Sequence, residues 1–146
     1  MKSKLISERI DVLKQKSKQD LLSVVLFGSK VKGTSTATSD IDVLVVSKSL
    51  MKEWRARDKL IQALTEDIEL KYATPIHMNL VNKDEISNAI ESVYPLMLEI
   101  YEANEIIYDK ENFFKKILAD FEKNIHRWHG KKIEEGVWKI PGIAVI

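Results

Sequence analysis

Residues 26–46 read LFGSKVKGTSTATSDIDVLVV and place two aspartates, Asp40 and Asp42, one residue apart at the head of an apolar run. In a strand, side chains at i and i+2 project from one face. The two carboxylates therefore point together, while Ile41 and Val43 point into the opposite layer. Like charges on one half-buried face repel and are costly to desolvate. A hard divalent cation offsets that cost. Mg²⁺ fits because it takes one or two carboxylates together with substrate phosphates, and Mn²⁺ is the alternative. The pair is separated by about 7 Å of strand, within reach of one metal site. The plainer alternative is a strand start open to solvent, its carboxylates capped by loop donors.

The partner feature lies just upstream. Phe27-Gly28-Ser29 ends an apolar run at a glycine, where backbone N–H groups can approach an anion with no Cβ in the way. The Ser29 hydroxyl and the start of a helical turn would add donors aimed at a phosphate, although a serine there also suits a helix N-cap. Lys30 and Lys32 supply positive charge or sit solvated, and Gly33 lets the loop turn back toward the aspartates. A phosphate cradle on one strand end and a metal-binding carboxylate pair on the next suit a metal–nucleoside triphosphate.

The run G-S-x-x-x-G-x-x-x-x-x-S-D-x-D, here Gly28, Ser29, Gly33, Ser39, Asp40 and Asp42, resembles the signature of the polymerase-β-type nucleotidyltransferase superfamily, in particular its minimal nucleotidyltransferase branch. The resemblance spans about residues 20–108, with EIIYD similar to a late strand of the family. It implies an α/β (α+β) nucleotidyltransferase fold with a small mixed sheet of about four strands, Mg²⁺ as cofactor, and a nucleoside triphosphate as substrate. The implied reaction moves a nucleoside monophosphate, most plausibly AMP from ATP, to a hydroxyl with loss of pyrophosphate. Gly28 and Ser29 would hold the terminal phosphates, with Lys30, Lys32, Gly33 and Ser39 around them, and Asp40 and Asp42 would hold the metal.

One position departs from that pattern. Family members carry a third carboxylate in a stretch like V-D-L-V, and the matching stretch here is Met78-Asn79-Leu80-Val81. Asn79 can offer an oxygen to a metal but has neither the charge nor the basicity of aspartate. His77 shares the face of Asn79 by strand alternation and could replace the missing base, or simply be a half-exposed histidine. The alternative to an enzyme is a catalytically degraded member that binds nucleotide or a partner, as an antitoxin or regulator. The resemblance names a small helical HEPN-type protein as candidate partner.

The elements that must position these residues follow from periodicity. Leu5, Ile6, Ile10 and Leu13 predict a helix over about 3–17. LLSVVLF and SDIDVLVV read as strands flanking a Gly- and Thr-rich loop. A long helix is expected over 50–72, with Arg55 and Arg57 on a solvated face, then a strand over 76–81 and a short helix, KDEISNAIES. Asp84 and Glu85 fall in its first turn, where the helix dipole favours them. YPLMLEIYEAN reads as a helix, EIIYD as a strand, and ENFFKKILADFEKNIHRW as a last helix whose Phe113, Phe114 and Phe121 face the core. The expected organisation is a nucleotidyltransferase domain over 1–128 and an irregular tail over 129–146. The tail packs on the same domain or contacts a second copy or another protein.

Composition bounds the rest. With 146 residues, 45% apolar and 31% charged, the chain suits one globular domain. A net charge of +1, from 23 basic and 22 acidic residues, gives no footprint for strong nucleic-acid binding. The absence of cysteine excludes disulfides, thiolate metal sites and thiol nucleophiles, and it suits a cytoplasmic location. No stretch is apolar and long enough to span a membrane, and the first twenty residues lack the apolar core of a signal peptide.

Overall fold

LLSVVLF and IDVLVVS are apolar on both faces, and both become central strands. In the computed structural model, which describes residues 20–28, 41–48, 54–72, 75–134 and 137–140, they form β1 (Leu21–Phe27) and β2 (Ile41–Ser47). The predicted helix over 3–17 and most of the loop between the strands lie outside the described residues. β3 (Ile76–Asn82) pairs parallel to β2, and β4 (Asn104–Asp109) pairs antiparallel to β1, so the sheet order is β3-β2-β1-β4. β1 and β2 are antiparallel neighbours in the middle of the sheet. Burial on both faces accounts for the near-continuous apolar pattern of the two strands.

Each face has its own core. On one, Leu64 of α1 (Trp54–Tyr72) meets Val24, Leu26, Ile41, Val43 and Met78. On the other, α2 (Lys83–Glu91), α3 (Pro95–Glu102) and α4 (Phe113–Arg127) cover Phe27, Leu44 and Val46 with Ile86, Met97, Phe114 and Phe121. The predicted aromatic stripe thus enters the core through Phe114 and Phe121, both 0% exposed, while Phe113 is only partly buried. Among the described residues no helix is long and apolar enough to cross a membrane.

Local chemistry fixes the helix starts. Asn82 closes a capping box on α2: its side chain accepts the Glu85 N–H at 2.8 Å, and Glu85 Oε1 accepts the Asn82 N–H at 2.9 Å. Asp109, at the end of β4, accepts the Phe114 N–H at 2.7 Å, the Lys115 N–H at 3.1 Å and the Ser23 hydroxyl at 2.7 Å. One carboxylate thereby ties β1, β4 and the first turn of α4 together, a favourable place for negative charge.

Two features differ from the sequence expectation. Arg57 is not on a solvated face: it is 6% exposed, and its Nη1 lies 2.9 Å from both carboxylate oxygens of Glu85. This brace joins α1, on one face of the sheet, to the start of α2 on the other. Arg55 is exposed as expected. The tail is not irregular throughout, because β5 (Lys131–Glu134) and β6 (Val137–Lys139) form an antiparallel hairpin. An isolated hairpin is marginal in water. This one is anchored by Trp138 and Ile140, which enter the core shared by α2, α3 and α4. The Trp138 indole N–H donates to Glu102 at 3.2 Å, and its ring meets Tyr101 edge-on at 6.2 Å.

Candidate active site

The site grows from the end of β1. After Phe27 the chain enters the left-handed region at Gly28, with φ +82°. The antiparallel ladder sets Asp42 opposite Phe27. A Cβ built on Gly28 would collide with Asp42 Oδ2. Glycine is therefore required twice, once for backbone conformation and once for space.

On the other flank of β2, the parallel ladder pairs Asp42 with His77. His77 Nδ1 lies 3.4 Å from Asp42 Oδ1, with the two side chains 71% and 25% exposed. The Asp42 carboxylate is thus bracketed, Oδ2 toward Gly28 just after β1 and Oδ1 toward His77 on β3. Asn79 lies two residues further along β3, half-buried and paired with Leu44 rather than Asp42. The structure brings together Gly28, Asp42 and His77, and it sets Asn79 one step deeper in the sheet. Ser29, Lys30, Lys32, Gly33, Ser39 and Asp40 fall outside the described residues.

This corner can do two things. Asp42 presents hard carboxylate oxygens, partly open to solvent, which suit a divalent cation better than a soft one. Among the described residues no three His, Cys, Asp or Glu side chains gather into a complete metal site. An oxygen-ligated ion sharing its shell with substrate phosphates needs fewer protein ligands. Gly28 lets the chain turn at the strand end while the Asp42 carboxylate fills the space beside it.

Neither the bracketing of Asp42 by His77 nor the Arg57 brace follows from motif spacing. The first depends on the β2–β3 register. The second had one visible signal, the S/T/D/N-x-x-E capping pattern of Asn82 and Glu85, which placed Glu85 but not its partner.

Comparison with known proteins places the chain in a family. Residues 6–136 match the model of a nucleotidyltransferase domain. The chain is 35% identical over 144 residues, 98% of its own length and 97% of the other, to the "Putative protein adenylyltransferase MJ1305" of Methanocaldococcus jannaschii. It resembles a chain of a toxin–antitoxin complex with AMP-PNP (TM-score 0.53, 19% identity, covering 84% of this chain and 86% of that one). It also resembles a chain of the complex of a tri-AMPylated Shewanella oneidensis HEPN toxin with its MNT antitoxin (TM-score 0.54, 16% identity, 86% and 87% covered). At these identities the structural likeness is one of fold. With most of its length matched by the family model and nearly all of it by the archaeal relative, this chain belongs to the nucleotidyltransferase domain family and is a nucleotidyltransferase.

Proposed function

We propose that the chain transfers AMP from ATP to a hydroxyl group of a protein, in a Mg²⁺-dependent reaction. The observation that carries this reading is the bracketed carboxylate: Asp42 stands between a glycine turn and an exposed imidazole at one end of the sheet. The relative described as a protein adenylyltransferase supports the choice of AMP and of a protein acceptor.

Asp42, with Asp40 beside it in sequence, would hold Mg²⁺, which neutralises triphosphate charge and aligns the reacting phosphate. Gly28 and Ser29 hold the terminal phosphates on the β1 side. The acceptor hydroxyl then approaches on the β3 side. A bond forms between its oxygen and the α-phosphorus, the bond from that phosphorus to the bridging oxygen breaks, and pyrophosphate leaves. His77 turns Nδ1 toward Asp42. That orientation leaves Nε2 facing outward to take the hydroxyl proton. Asn79 contributes an uncharged amide behind it.

A second reading is favoured by one observation: β3 carries His77 and Asn79 where the family pattern carries a carboxylate. The chain would then bind nucleotide or a small helical HEPN-type partner, as an antitoxin or regulator, without turnover. Incubation with labelled ATP, Mg²⁺ and candidate acceptor proteins separates the two. Transfer that is lost in Asp42→Ala establishes the first. Tight ATP binding without transfer, with activity appearing in Asn79→Asp, establishes the second.

A further inference from the structure

The strand registers set four residues in one row across the end of the sheet. His77 pairs with Asp42, Asp42 with Phe27, and Phe27 with Asn104, the first residue of β4. Neighbouring strands lie about 4.8 Å apart, so Asn104 stands about 10 Å from Asp42, and the Gly28 turn leaves the sheet between them. α3 delivers the chain to this row: Ala103 caps the helix, and the Asn104 amide donates to Ile100 O at 2.9 Å. Asp42 shares its face with Leu44 and Val46, the face that α3 covers. The C-terminal end of α3 therefore meets the row on the side of Asp42 away from His77.

That helix end holds a buried charge. The Glu102 side chain is 3% exposed, and its Oε1 lies 3.2 Å from both the Trp138 indole nitrogen and Lys132 Nζ. Lys132 itself stays 41% exposed. Trp138 and Ile140 already anchor the hairpin in the core, and an ion pair with one partner half-exposed adds little net stability. What the pair does achieve is to fix one ammonium at the end of α3, so that less order is lost when an anion arrives.

An in-line displacement sends the leaving group away from the attacking oxygen. With the acceptor hydroxyl on the His77 side of Asp42, pyrophosphate departs past Gly28, toward Asn104 and the end of α3. We infer that Lys132, carried by the C-terminal hairpin and held by Glu102, binds the β- and γ-phosphates of the nucleoside triphosphate and neutralises charge on the departing pyrophosphate. This inference rests on the proposed transfer reaction and adds to its site a residue from the tail, which the glycine–aspartate motif does not include.

Calorimetric titration of the full chain in Mg²⁺ compares AMP with an ATP whose α- and β-phosphorus atoms are bridged by methylene, so that no transfer occurs. Lys132→Met in a Glu102→Gln background removes the ammonium without stranding the carboxylate, since glutamine still accepts from Trp138. It should weaken the analogue by at least about ten-fold, the scale of a hydrogen bond to a charged group, while AMP stays within about two-fold and the melting temperature is unchanged. Lys132→Arg should keep the analogue within a few-fold of wild type, and Lys131→Ala, at the exposed neighbour, should leave both ligands unaffected. Unchanged binding of the analogue, or a parallel loss of AMP and analogue, overturns the inference. Asp42→Ala is scored separately and should weaken both ligands. Binding that ignores Asp42 as well as Lys132 removes the proposed function together with the inference. Binding that needs Asp42 but not Lys132 removes the inference alone, and binding that needs Lys132 but not Asp42 does the reverse.

Discussion

The Asp42 carboxylate occupies the space that a side chain on residue 28 would need, with Oδ2 where the Cβ would meet it. A motif glycine and a motif aspartate, at the two ends of one loop, are thus one steric unit. Gly28→Ala should cost about 1–3 kcal/mol through its left-handed backbone alone. It should also push the carboxylate out of line. Urea denaturation gives the first quantity. AMP transfer, measured where the variant remains folded, should fall by more than the loss of folded protein explains.

His77 and Asn79 make separable predictions because the β2–β3 register sets only one of them beside Asp42. His77→Ala should lower the transfer rate by about 10²-fold or more, the usual contribution of a positioned acid–base group, with KM for ATP little changed. Asn79→Ala, at the level of Leu44, should stay within a few-fold of wild type. Steady-state kinetics on both variants decides between His77 and Asn79 as the group that meets the acceptor.

Glu85 carries a pH dependence. Burial pushes its carboxyl up, but the Arg57 hydrogen bond, the Asn82 N–H and the guanidinium charge together outweigh burial and hold it below the ordinary value of 4.5. A lowered folded value means that Glu85 contributes stability above pH 4.5 and loses it as pH falls through the folded value. Glu85→Gln should flatten that part of the acid unfolding curve. Glu85→Ala, which removes the capping box and the charged hydrogen bond to Arg57, should cost about 1–3 kcal/mol at neutral pH.

How far the sequence could be read depended on the range of the interactions. β1, β2 and the Gly28 turn rest on local signals, namely β-branched runs and a glycine at a strand end, and they were legible. The start of α2 was legible too, because Asn82 and Glu85 bond to each other three residues apart. Arg57 was misread because its partner lies 28 residues away on the opposite face of the sheet, beyond the reach of helical periodicity. The site was only half legible. Motif spacing singled out Asp42, but the pairing of Asp42 with His77, and of Asn79 with Leu44, is a matter of strand register. The alternation of IHMNL assigns its two faces, but which residue of β2 each one meets is set by the pairing of the strands and not by that pattern.

The hairpin in the tail was not legible for a related reason. Gly130, Gly136 and Pro141 signal chain breaks, yet Trp138 and Ile140 between them are 8% and 0% exposed. The Trp138 ring packs on Tyr101, which in turn meets Phe121 of α4 at 5.8 Å, so the hairpin completes the core over α3 and α4. Trp138→Ala should therefore destabilise the fold by about 3–5 kcal/mol, the range for deleting a large buried aromatic. Ile133, 57% exposed on the same hairpin, is the internal control: Ile133→Ala should change stability by less than about 0.5 kcal/mol. Equilibrium urea unfolding of the two variants checks both values. A Trp138→Ala protein as stable as the Ile133→Ala protein would mean that the hairpin adds nothing to the core it covers.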